Sequence, residues 1–325
     1  MTQLDLFSDQ ITDQPERDAS LRPRRPALRG REPEATAARV AEAAARAWHR
    51  SRGGTALEVP LGVVAALAQL AAPAGRPDPA AALLALTPDQ LWRTLERIWS
   101  VRWLSRPELV EWAAPLHIWL RNATPDPHRL QAVHDVAAEA LGTGLLDLTG
   151  SPDPLERSRA DLLGRLLMML RSEGTKRYLA EEHTPAEMAE LVARLALVSP
   201  EQLKPGSWLA EPTAGTGGMF RAVAEVLREA GRSPSEIGWF MQDVDEAAAA
   251  CCAVNAIVWD LGPRVLVYCG DILTTPDGWE RADADRREIL AHHARVVGAA
   301  LPVARIQRAL APLDPPGIRE KPEGD

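Results

Sequence analysis

Ser207 to Phe220 reads Ser-Trp-Leu-Ala-Glu-Pro-Thr-Ala-Gly-Thr-Gly-Gly-Met-Phe, and no other stretch restricts the fold as strongly. The short apolar run Trp208 to Ala210 predicts a buried parallel strand. Glu211-Pro212 ends the strand, Gly215, Gly217 and Gly218 predict a tight turn, and Met219 to Ala230 predicts a helix. Strand, glycine turn and helix make the first half of a nucleotide-type α/β unit, whose ligand sits at the carboxyl end of the strand. Glycines there let a ligand lie against bare backbone. Two common ligands do not fit these residues. The dinucleotide fingerprint requires a third glycine where Phe220 stands, and the phosphate loop requires a lysine that this stretch lacks.

What remains is an acid, Glu211, at the strand end. A carboxylate repels a pyrophosphate and attracts the ammonium of an amino acid. S-adenosyl-L-methionine carries such an ammonium and no phosphate. Glu211-Pro-Thr213-Ala-Gly215-Thr216-Gly217-Gly-Met resembles the cofactor loop of adenine-specific DNA methyltransferases, most closely that of the modification subunit of type I restriction systems. The bare alternative is a glycine turn in another kind of α/β protein.

The resemblance extends upstream and downstream, over Gly174 to Leu273. In that family an aromatic-Thr-Pro precedes the glycine-loop strand and closes over the cofactor; here His183-Thr184-Pro185 stands in that place, with His183 replacing the aromatic. By themselves Thr184 as cap, Pro185 as first helical residue and Glu187 in the first turn predict a helix over Ala186 to Leu197. Ile237 to Met241 predicts a second strand, followed by Gln242-Asp243-Val244-Asp245. An acid at that strand end accepts hydrogen bonds from ribose hydroxyls. The resemblance puts that acid at Asp243, 25 residues past Gly218, and leaves Asp245 to cap the helix Glu246 to Trp259. A third strand, Val265 to Tyr268, leads to Asp271, which the resemblance sets near the cofactor's adenine; as a loop acid it would equally be solvated.

The catalytic segment of such enzymes is Asn or Asp, Pro, Pro and an aromatic at the end of a fourth strand. The polar groups orient the lone pair of the adenine amine, and the ring stacks on the flipped base. No such segment follows Asp271. Asp314-Pro315-Pro316-Gly317 lacks the aromatic and has no strand before it, in a charged, Pro-rich tail. The catalytic residues are therefore unassigned: either a partner subunit supplies them, or the chain is a non-catalytic module that holds DNA or a sister subunit.

The remainder of the chain bounds the context. Its 325 residues allow two domains, and a net charge of -8 confines any DNA contact to a local surface. Cys251, Cys252 and Cys269 have neither metal nor disulfide spacing and read as buried small hydrophobes of a reducing cytoplasm; no metal site is expected. No signal peptide and no run of about 18 apolar residues is found, so no membrane partner is expected.

Residues 1–33 read as a disordered tail. Within it Gln3-Leu4-Asp5-Leu6-Phe7 is similar to the peptide by which bacterial DNA-processing proteins dock on the replication sliding clamp; otherwise it is a segment folding back on the domain. Arg22, Arg24, Arg25, Arg29 and Arg31 either track DNA phosphates or form a solvated run. Residues 34–172 predict a helical domain, with Trp92, Trp99, Trp103, Trp112 and Trp119 at core spacing, His117 and His134 structural, and a last helix from Asp153-Pro154 through Leu170. The expected fold is an α/β, truncated Rossmann-like S-adenosylmethionine-dependent methyltransferase fold. The expected division is a cofactor-binding domain over 173–300 and a helical to disordered tail over 301–325. An uncovered edge on the first strand is expected to be closed by 286–310, by the helical domain or by another chain.

Overall fold

An alanine-rich segment with acids at its start and bases at its end is suited to a helix whose dipole it complements. Glu32–Arg50 forms such a helix, α1, with Ala37, Val40, Ala41, Ala44 and Trp48 buried along one side. The computed structural model describes residues 32–51, 54–71, 79–122, 125–171, 184–197, 199–200 and 203–310, with side chains up to 299. Gln3–Phe7, the arginine run, His183 and Asp314–Gly317 lie outside the described residues.

The helical part continues with α2 (Glu58–Ala68), α3 (Pro79–Leu84), α4 (Pro88–Ser105), α5 (Pro107–Trp112), α6 (Ile118–Asn122), α7 (Pro127–Gly142) and α8 (Leu145–Thr149). From Val59 to Ala68, α2 is buried on every side, the mark of a central helix. Thr87 and Gln90 close a capping box on α4, and the Asp126 carboxylate accepts from Arg129 N at 2.8 Å to start α7. Trp92, Trp99 and Trp119 are buried core residues, whereas Trp103 and Trp112 are half-buried at its margin.

The single helix expected up to Leu170 is two, α9 (Pro154–Arg157) and α10 (Leu162–Leu170). The break comes from Asp161, whose side chain takes the Gly164 N–H at 2.9 Å and opens a new helix instead of continuing the old one.

The next helix, α11, spans Ala186–Ala196, and its N-cap is Pro185, without a side-chain cap bond. Thr184 therefore does not cap it. With ψ 145°, Pro185 is still extended, so the helix begins one residue later than the sequence suggests.

Three strands follow, β1 (Trp208–Glu211), β2 (Gly238–Asp243) and β3 (Val265–Cys269), in spatial order β1-β2-β3 and all parallel. They are linked by α12 (Gly218–Glu229) and α13 (Glu246–Val258), and α14 (Gly278–Leu310) comes last. Strand register puts Leu209, Trp239 and Val265 on one face, and Ala210, Phe240 and Leu266 on the other. The first face joins the core that runs on into the helical part through α13. The second is closed by the start of α14: the Trp279 ring stands edge-on to Trp208 and Phe240, with centroids 4.4 and 5.3 Å away. Beyond that turn α14 packs against β3 and α5. Within it Arg286 donates to Pro263 O at 3.1 Å, just ahead of β3, and His293 meets the Trp103 ring with centroids 4.8 Å apart.

Cys251 and Cys252 are buried as expected, but Cys269 is exposed, because it ends the edge strand β3 and projects beyond the packed layer. No helix among the described residues is long and apolar enough to cross a membrane. The architecture is a small parallel sheet flanked by helices, a Rossmann-like α/β fold behind an N-terminal helical bundle.

His117 offers a test of the bundle. It is 7 % exposed, its Nε2–H donates to Val110 O at 2.9 Å, and its ring leans on Trp99 with centroids 4.7 Å apart. Burial holds its pKa below the ordinary value, with Arg121 adding to the shift and the Val110 and Glu111 interactions opposing it. The unfolded chain therefore takes up the proton first as pH falls through about 6.5, and stability drops below that pH. In urea melts at about pH 7.5 and about pH 5.5, His117→Gln, which keeps a donor for Val110, should lose less stability on acidification than the wild type.

Candidate functional site

The turn after β1 is shaped by backbone bonds that only particular residues permit. Ala214 N donates to Gln242 O at 2.9 Å, and Gly217 N donates to Ala214 O at 2.8 Å. Gly215 and Gly217 take φ values of 55° and 92°, and Gly217 is the N-cap of α12. A Cβ on Gly217 would crowd Trp259 at 3.3 Å and touch Met241 and Cys252, whereas one on Gly215 would meet nothing within 4 Å. The first glycine is thus needed for conformation alone, and it presents open backbone at the carboxyl end of the sheet.

Asp243 braces this backbone: its Oδ2 accepts Gly215 N at 2.7 Å and its Oδ1 accepts Asp245 N at 2.9 Å. Glu211 is half-buried at the end of β1 and accepts the Thr213 hydroxyl at 3.3 Å; Thr213 itself is exposed. Asp271, after β3, is half-buried and accepts Leu273 N at 2.9 Å. Three acids, Glu211, Asp243 and Asp271, thus stand at or just past the carboxyl ends of the three strands. The Cys252 thiol donates to Gly215 O at 3.0 Å; burial, with Asp243 next, drives its pKa well up, so the thiol keeps the proton it donates. Among the described residues, no group of three or more His, Cys, Asp or Glu suits a metal ion.

Thr216 takes a different position from its neighbours. It is 6 % exposed, and its hydroxyl is bonded to Asp161, behind the loop. Thr184 and Pro185 are exposed at the start of α11.

Sequence reasoning passed over several residues here. Val244 and Leu273 leave apolar side chains 61 % and 88 % exposed, one residue past Asp243 and two past Asp271, and that proximity to the two acids was a usable signal. Asp161 and Asn255 carried none, because their bonds to the loop span most of the domain in sequence. Asp245 caps α13 through Ala247 N at 3.2 Å, as expected, and also pairs with the buried Arg171.

The two glycines give a paired test. Gly215→Ala should cost about 1–2 kcal/mol, the price of left-handed backbone alone. Gly217→Ala should cost more than that, since crowding against Trp259 at 3.3 Å is added to the same strain. Urea denaturation of the two variants measures the difference.

Residues 161–288 match the model of the N-6 DNA methylase family. Among solved structures, the chain is similar to the methyltransferase subunit of a type I restriction-modification system from Streptococcus thermophilus. Identity is 16 % and the TM-score 0.37, over 60 % of this chain and 40 % of that one. The chain therefore spans less than half the length of that subunit. No curated protein matches it. The stretch that matches the N-6 DNA methylase model contains the glycine loop, all three strands and the acids at their ends.

Proposed function

We propose that this chain binds S-adenosyl-L-methionine across Gly215 to Gly217, as the cofactor half of a DNA adenine-N6 methyltransferase of the restriction-modification type. The carrying observation is the loop itself: a strand-end acid, open glycine backbone and no lysine, inside a segment that matches N-6 DNA methylases. The residues fit the group. The Glu211 carboxylate, which only accepts, suits an ammonium. Asp243, at the end of the second strand, would accept from ribose hydroxyls and Asp271 from the adenine amine, and Val244 and Leu273 offer apolar surface to a flat base. Thr213 lies beside Glu211, and His183, Thr184 and Pro185 form the proposed cover. When bound, the cofactor supplies a methyl group activated by its sulfonium.

Transfer to adenine requires an acceptor site, and here the chain is sparing. No Asn/Asp-Pro-Pro-aromatic segment follows Asp271, and among the described residues β1 pairs on one side only. We assign the base-binding half to a partner subunit, with DNA as substrate and a cytoplasmic setting; Gln3–Phe7 would tether the assembly to a sliding clamp. The division of labour follows the proposed domains, helical over 34–172 and cofactor-binding over 173–300. The same missing segment favours a second reading, a non-catalytic module that holds DNA or a sister subunit.

Calorimetric titration with S-adenosyl-L-methionine tests the first reading. Wild type should bind, and Asp243→Ala should weaken binding about tenfold or more, the worth of hydrogen bonds to a charged group. Unchanged affinity would remove the ribose assignment; no binding by wild type would leave the non-catalytic module. Labelled methyl should not pass from cofactor to DNA with this chain alone, and its transfer would show that the acceptor site is complete.

A further inference from the structure

Asp161 is 6 % exposed, on the helical side of the molecule and far from the glycine loop in sequence. Its Oδ1 accepts Gly164 N at 2.9 Å and Asn255 Nδ2 at 3.1 Å, and its Oδ2 accepts the Thr216 hydroxyl. Asn255 Nδ2 also donates to Thr216 O at 2.8 Å. Residue 216 is therefore held at both its side chain and its carbonyl from behind, while Asp243 holds the amide of residue 215 from the front.

A helix cap needs none of this. An N-cap aspartate is satisfied by amides of its own helix and normally faces water. Burying a carboxylate is costly unless donors surround it, and two of the three donors here come from outside α10. The approach also depends on α10 having no side chain at residue 164: a Cβ there would collide with the Asp161 carboxylate and the Thr216 hydroxyl.

We propose that Asp161 is a positioning residue for the cofactor loop. It acts through Thr216 and, with Asn255, sets the backbone of Gly215 to Gly217 in the shape that receives the ligand. Through α10, which packs on α1 and α2, the helical part then controls the geometry of the cofactor site. The ligand's identity rests on the function proposed above; the bracing of the loop does not.

The test uses the full chain and two readouts. Hydrogen exchange at the amides of Gly215 to Gly218 needs no ligand. Thr216→Val replaces the hydroxyl with a methyl group and leaves the Gly164 amide bonded to Asp161; it should speed exchange there about tenfold, and Thr216→Ser should restore protection. Asp161→Asn keeps a bond to Thr216, its amide donating to the hydroxyl oxygen, and should therefore disturb exchange less than Thr216→Val does. In calorimetric titration with S-adenosyl-L-methionine, Thr216→Val should weaken binding about tenfold, with recovery in Thr216→Ser. Wild-type exchange and affinity in Thr216→Val would overturn the proposal, even if Asp161→Asn fails to fold. Absence of wild-type binding with the exchange pattern intact would instead remove the cofactor assignment and leave the brace standing.

Discussion

The turn between β1 and α12 is held by two carboxylates pulling on adjacent residues from opposite sides. Asp243 takes the amide of Gly215 and Asp161 takes the hydroxyl of Thr216. A loop with two residues in the left-handed region is strained for most sequences and persists where its surroundings over-determine it. Here glycine removes the steric part of the strain, and the two acids, with Asn255 on the Thr216 carbonyl, remove the freedom. The result is a fixed strip of backbone with Glu211 at its entry and open space above Gly215.

That brace is possible because α13 lets the helical part come close. From Ala248 to Ala253 it carries only alanine and cysteine, all buried, and it packs on β2 and β3 as well as on α2, α5 and α10. Small side chains shorten the distance between packed elements. One hydrophobic core consequently runs from α1 to β3 without a gap. Asn255 sits in this wall, 3 % exposed, where an amide needs partners, and it finds them in Asp161 and Thr216. The polar link is thus enclosed by apolar packing, where hydrogen bonds are least exposed to competition from water.

The sheet is uneven in its protection. β2 is the central strand, buried through Gln242, while β1 is only half-buried and leaves Ala210 exposed. A parallel strand is ordinarily covered on both faces and flanked on both edges. The side chains of β1 are covered from one face by Trp279, and its backbone is paired only with β2 among the described residues.

Much of this was legible in the sequence, because the signals are local. Apolar runs of strand length located β1, β2 and β3; Asp245 stands where a helix start needs an acceptor, and the glycines of 215 to 218 mark a backbone that few other residues could adopt. The acids Glu211, Asp243 and Asp271 could be named because a strand end is a position in sequence as well as in space. Other features depend on which segments meet. The inward turn of Thr216, the break of α9 from α10 at Asp161, the exposure of Cys269 on an edge strand and the packing of α14 on β3 all follow from contacts between distant residues. Local propensity describes what a segment can do alone; a hydrogen bond between Asp161 and Thr216 exists only once both are buried in the same core, and only the tertiary structure decides that.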